Sequence, residues 1–106
     1  MIKEANIDYA YTYALELENG RYYVGATKNL HERIGAHFLG EGSRFTKMHK
    51  PVRVAKVWTG NVEREMTLRG MKQYGIDYVR GAVWTEVHSL TPKARATVEK
   101  EIGELW

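Results

Sequence analysis

With 106 residues, 43% of them hydrophobic and 27% charged, the chain can enclose one modest core and has little left for a second, so a single domain over residues 1–106 is expected. The absence of cysteine excludes disulfides and thiolate metal sites and suits a reducing, intracellular compartment. No run approaches the ~20 apolar residues of a membrane span, and MIKEANIDYAYTYA lacks the continuous apolar centre of a secretion signal, so a soluble protein without a membrane partner is expected.

The first element is a β-hairpin. In YAYTYALELENGRYYVG, Tyr9, Tyr11, Tyr13, Leu15 and Leu17 alternate with smaller or polar residues, and Asn19-Gly20 is a dipeptide able to take positive φ at both turn positions. Leu30, Ile34, His37 and Phe38 then recur at helical spacing, with Asn29 as N-cap and Glu32 as its capping-box partner, which predicts a helix over 29–39. Residues 40–43 read as a loop and Arg44 to Lys50 as one turn, which Pro51 ends before the strand VRVAKVW. Asn61 can cap a helix running to Tyr74, with Gly75 as a left-handed stop. VWTEVH is strand-like, and Thr91-Pro92 opens a last helix with Ala94, Val98, Ile102 and Leu105 as its apolar stripe. The order β-β-α-β-α-β-α makes an α+β domain, with residues 76–106 as a C-terminal strand and helix extension.

Charge is unevenly placed. The net charge is only +3, yet between Lys28 and Lys56 seven basic residues (Lys28, Arg33, Arg44, Lys47, Lys50, Arg53, Lys56) face two acids, Glu32 and Glu41. A positive middle interleaved with histidines and aromatics is the footprint expected of a nucleic-acid phosphate backbone, and a solvated basic face has the same composition.

One ordered set of residues carries a family resemblance. Tyr11-Thr12-Tyr13, nine residues, then Tyr23-Val24-Gly25, followed by Thr27, Asn29, Leu30, Arg33, Ile34 and His37, resembles the GIY-YIG nuclease family. EREMTLRGMKQYGIDYVRGAVW is similar to the segment after the catalytic helix in small stand-alone members of phages, large viruses and bacteria, so the likeness runs from about Tyr9 to Trp84. It implies a small three-stranded antiparallel sheet flanked by helices, and magnesium-dependent hydrolysis of DNA phosphodiesters, with manganese able to substitute. The setting implied is the cytoplasm of a bacterial or infected cell, or the nucleus or virus factory of a viral host.

The resemblance also implies residue roles. It makes Tyr23 the general base toward an attacking water. A free phenol with a pKa of about 10 is only about one part in a thousand ionised at neutral pH, so nearby cations must favour the phenolate. Arg33 can supply that field and fork onto the scissile phosphate. His37, at i+4 from Arg33, can hold the water, orient Tyr23 or touch phosphate, and its periodicity equally permits a buried histidine. Tyr13 is the tyrosine of the first motif, with core packing as the competing role. Gly25 lets substrate or a helix approach the strand, and Thr27 can hydrogen-bond at the turn into the helix. For magnesium a lone glutamate suffices chemically. Glu63 and Glu65 are the candidates, and the flanking Val62, Met66 and Leu68 favour Glu65 by the family's pattern; an exposed pair with Arg69 is the bland alternative. Lys28, Arg44, Lys47, His49 and Lys50 are candidate DNA contacts.

Several members carry lysine directly after the second motif's glycine, where this chain has Ala26. A DNA-binding module with weak or lost chemistry is therefore the second reading. The chain leaves no room for a separate recognition domain, so phosphate contacts should dominate, and an accessory protein or a second copy would supply targeting.

Overall fold

A computed structural model describes residues 10–105; the alternation's first residue, Tyr9, and the secretion-signal reading of the N-terminal segment fall outside the described residues. Strands β1 (Tyr11–Leu17) and β2 (Tyr22–Thr27) form the expected hairpin. Asn19 and Gly20 turn it at φ 64° and 73°. Helix α1 (Leu30–Phe38) opens at Asn29, whose Oδ1 accepts the Glu32 N–H at 3.3 Å while its Nδ2 donates to Glu32 Oε1 at 2.8 Å. These contacts close the predicted pairing of cap and third residue.

A short helix α2 (Arg44–Met48) follows, then strand β3 (Pro51–Thr59), helix α3 (Glu63–Tyr74), strand β4 (Val79–Gly81) and helix α4 (Pro92–Gly103). Thr91 caps α4 by accepting the Ala94 N–H at 3.2 Å, with Pro92 at the first helical position. Asn61 accepts the Glu63 N–H at 3.2 Å, although the residue at the α3 boundary is Val62. Among the described residues no helix is long and apolar enough to cross a membrane.

The sheet has the order β3-β1-β2-β4. Its first three strands are antiparallel as expected, but β4 runs parallel to β2, so the sheet is mixed and four-stranded rather than three-stranded. The strand expected at VWTEVH does not form; only Trp84 bridges back to Gly81. The reason lies in Arg80. Its enclosed guanidinium donates to the Glu86 carbonyl at 2.8 Å and the His88 carbonyl at 2.9 Å, so this stretch is held by a side chain instead of a strand partner.

Alternation along the hairpin sorts the core into two layers. Ala14 and Val24 face Leu68 and Met71 of α3, Val79 of β4 and Val98 of α4. Tyr13, Leu15, Leu17 and Tyr23 face the opposite way, with Phe45 of α2 and the half-buried Leu30 and Ile34 of α1 packed over them. The second layer carries the phenols.

Candidate active site

Tyr13 stands directly opposite Gly25 in the hairpin register. A Cβ on Gly25 would lie 2.4 Å from the Tyr13 hydroxyl oxygen and 2.6 Å from Cζ, so the missing side chain is the space the phenol occupies. The sequence reading reserved that space for substrate or a helix; the neighbouring strand's tyrosine fills it. Tyr23 projects from β2 on the same face, two residues before Gly25. Leu30 and Ile34 seat α1 on this face, which places Arg33 and His37 over the tyrosines.

His37 is fully buried. Its Nε2 lies 2.7 Å from the Tyr13 hydroxyl and its Nδ1 2.9 Å from Thr46 Oγ1. Its ring centroid is 5.0 Å from that of Tyr23. The expected histidine is thus both core residue and neighbour of both phenols.

Burial dominates the electrostatics. It pushes the Tyr13 phenol from 10 up to about 12, with Tyr23 adding to the rise and the Arg33 guanidinium opposing it by charge and hydrogen bonding. Tyr23 is also raised by burial, against Arg33 and a hydrogen bond from Ser43. Burial, then the charge of Arg33, pushes His37 from 6.5 down to about 4. At neutral pH the cluster therefore holds two neutral phenols, a neutral imidazole and one guanidinium.

Among the described residues, Glu63 is the carboxylate whose charge adds to the rise of both phenols. Its Oε2 accepts the Ala82 N–H at 3.1 Å. Glu65, the candidate favoured by the family's flanking pattern, is turned elsewhere. It is paired with Arg69 at 2.8 Å, and Arg69 borders a cleft of about 400 Å³ with Ala14, Tyr22 and Trp58 on the other sheet face. Two positions along a helix differ by about 200°, so only one of the two glutamates can face the tyrosines.

Thr12, which the sequence reading did not single out, sets the approach of Glu63. Fully buried, it donates to the Gly60 carbonyl at 2.7 Å and accepts the Val62 N–H at 2.9 Å, tying the turn before α3 to β1. Thr27 accepts the Asn29 N–H at 3.0 Å, as expected for a turn into α1. Lys28, Arg44, Lys47 and Lys50 are exposed. Lys47 and Lys50 border a hollow of about 510 Å³ beside His37 and Thr46. His49 is half-buried, edge-on to Phe45 at 5.0 Å.

Comparison with known proteins shows the family. Residues 9–69 match the GIY-YIG catalytic domain, and the chain belongs to that family. It is 38% identical over 45 residues to a UPF0213 protein of Streptococcus pneumoniae, covering 42% of this chain and 46% of the relative. A UPF0213 protein of Neisseria meningitidis is 32% identical over 57 residues, covering 54% and 62% respectively. One from Xanthomonas campestris is 43% identical over 42 residues, covering 40% and 41%. The chain thus spans about half the length of the curated relatives it matches. No solved structure matches it.

Proposed function

We propose that this chain is a metal-dependent endonuclease that hydrolyses DNA phosphodiesters. The supporting observation is the meeting of Tyr13, Tyr23, Arg33, His37 and Glu63, drawn from β1, β2, α1 and α3, around one spot. Hydrolysis requires a deprotonated water in line with the leaving oxygen and positive charge over the phosphate oxygens. In this reading the minor phenolate form of Tyr23 takes the water's proton and becomes the phenol, Arg33 binds the scissile phosphate through paired N–H donors, and His37 holds Tyr13 in place beside them.

Glu63 fits a magnesium or manganese ion, because its second carboxylate oxygen is not the one that accepts the Ala82 N–H, and such ions take one or two carboxylates alongside water and phosphate. Bound there, the ion would supply positive charge at the phosphate and offset the glutamate charge that adds to the effect of burial on both phenols. Lys28, Arg44, Lys47 and Lys50 grip the flanking backbone, giving salt-sensitive binding with little base readout. A DNA substrate suits an intracellular setting, with targeting left to a partner protein or a second copy.

Supercoiled plasmid incubated with magnesium or with chelator tests the proposal. Nicking that needs the metal and is lost in Arg33→Ala is expected; nicking indifferent to either would refute it. Ala26 and the raised Tyr23 phenol favour one second reading, a DNA-binding module without efficient chemistry. Salt-sensitive plasmid binding without any nicking would select it.

A further inference from the structure

Gly42 and Thr46 lie outside the expected catalytic set, yet both are built against His37. A Cβ on Gly42 would stand 2.1 Å from His37 Nδ1 and 2.7 Å from Cγ and Cε1, so the loop between α1 and α2 rests directly on the imidazole. Thr46 sits one turn into α2, fully enclosed, with its N–H bonded to the capping Ser43 Oγ at 3.2 Å. Its Oγ1 has three further partners, His37 Nδ1 at 2.9 Å, the Ser43 carbonyl at 3.1 Å and Ser43 Oγ at 3.2 Å, the last able to donate or accept.

Counting protons decides who donates. A threonine hydroxyl carries one proton, and a carbonyl can only accept. With the Thr46 proton given to Ser43, at its carbonyl or its Oγ, Oγ1 accepts from His37, so Nδ1 carries the hydrogen and Nε2 of the neutral ring is bare. The Tyr13 hydroxyl then donates across 2.7 Å to Nε2. Two arguments reach the same answer from the other side. A phenol is a better donor than acceptor toward imidazole, and the Tyr13 oxygen already interacts with the N–H groups of Arg33.

We infer that Thr46 is a positioning residue: it fixes His37 as the Nδ1–H tautomer, which turns the Tyr13 proton inward and presents the Tyr13 oxygen to Arg33 as an acceptor. The opposite tautomer would aim a donor at Tyr13 and force its proton outward, against the guanidinium side of the site. The tautomer assignment rests on these hydrogen bonds; its consequence for cleavage rests on the proposed function.

The test is nitrogen-detected NMR of His37 in the metal-free, DNA-free protein, joined to cleavage kinetics. The wild type should show a protonated Nδ1 and a bare Nε2. Thr46→Val, which keeps the shape and deletes the acceptor, should shift population toward the Nε2–H tautomer and lower kcat about 10- to 100-fold with KM little changed. Thr46→Ser should restore both. A wild type with its hydrogen on Nε2, or a Thr46→Val protein with an unchanged tautomer, overturns the inference. A wild type with the Nδ1–H tautomer that cuts no DNA counts instead against the proposed function and supports the Thr46 assignment.

Discussion

Replacing each glutamate of α3 by glutamine in turn separates the two metal-ligand candidates. Glu65→Gln breaks an exposed i,i+4 pair with Arg69, of the kind that contributes about 0.3–0.5 kcal/mol. For a domain of this size that is a fall in Tm of about 2–3 °C, and cleavage should be unchanged. Glu63→Gln keeps the size and the acceptor toward the Ala82 N–H, exchanging a charge-assisted bond for a neutral one at a cost of about 1 kcal/mol. Cleavage should nevertheless fall at least about 100-fold, the scale for losing one electrostatic partner of a transition state. A second readout needs neither metal nor DNA. Because the Glu63 charge raises both Tyr13 and Tyr23, removing it should move their ultraviolet titration to lower pH, whereas Glu65→Gln should leave it in place. Loss of cleavage in Glu65→Gln but not in Glu63→Gln, or a tyrosine titration indifferent to Glu63→Gln, would refute the reasoning.

Gly25→Ala inserts a methyl 2.4 Å from the Tyr13 hydroxyl, an overlap that should cost about 1–3 kcal/mol in urea unfolding and reduce cleavage by displacing Tyr13; a variant as stable and active as wild type would contradict the packing described. The pH dependence of stability should report His37. The folded state holds it neutral down to about pH 4 while an unfolded imidazole titrates near 6.5, so the unfolded chain binds more protons between these values. The contribution is fully present above 6.5 and lost as pH falls toward 4, by up to about 3 kcal/mol. His37→Gln should flatten that part of the stability curve, and an unchanged slope would rule the assignment out.

What was legible in the sequence is what short-range chemistry specifies. The Asn19-Gly20 turn, the Asn29 and Thr91 caps and the alternation from Tyr11 to Leu17 each act within a few residues, and each appears where it was read. The fourth strand was not legible. Val79–Gly81 is only three residues long and becomes a strand because β2 offers an open edge, while Val83–His88 reads as strand by composition yet is drawn off by the Arg80 guanidinium. A tertiary partner decided both, which no local pattern records.

The site divides along the same line. Tyr13, Tyr23, Arg33 and His37 were readable because one hairpin register and one helical turn bring them together. Which of Glu63 and Glu65 faces the tyrosines was not, since both lie on one helix and the contact that ties its start to β1 comes from Thr12, 50 residues before Val62. Thr12, Gly42 and Thr46 look in sequence like ordinary strand, loop and helix residues. Yet the atoms that hold Glu63 toward the phenols and His37 against Tyr13 are theirs. A variant that preserves all five chemical groups but loosens those three supports should therefore keep its fold and lose its chemistry, because the groups act only at the separations these neighbours impose.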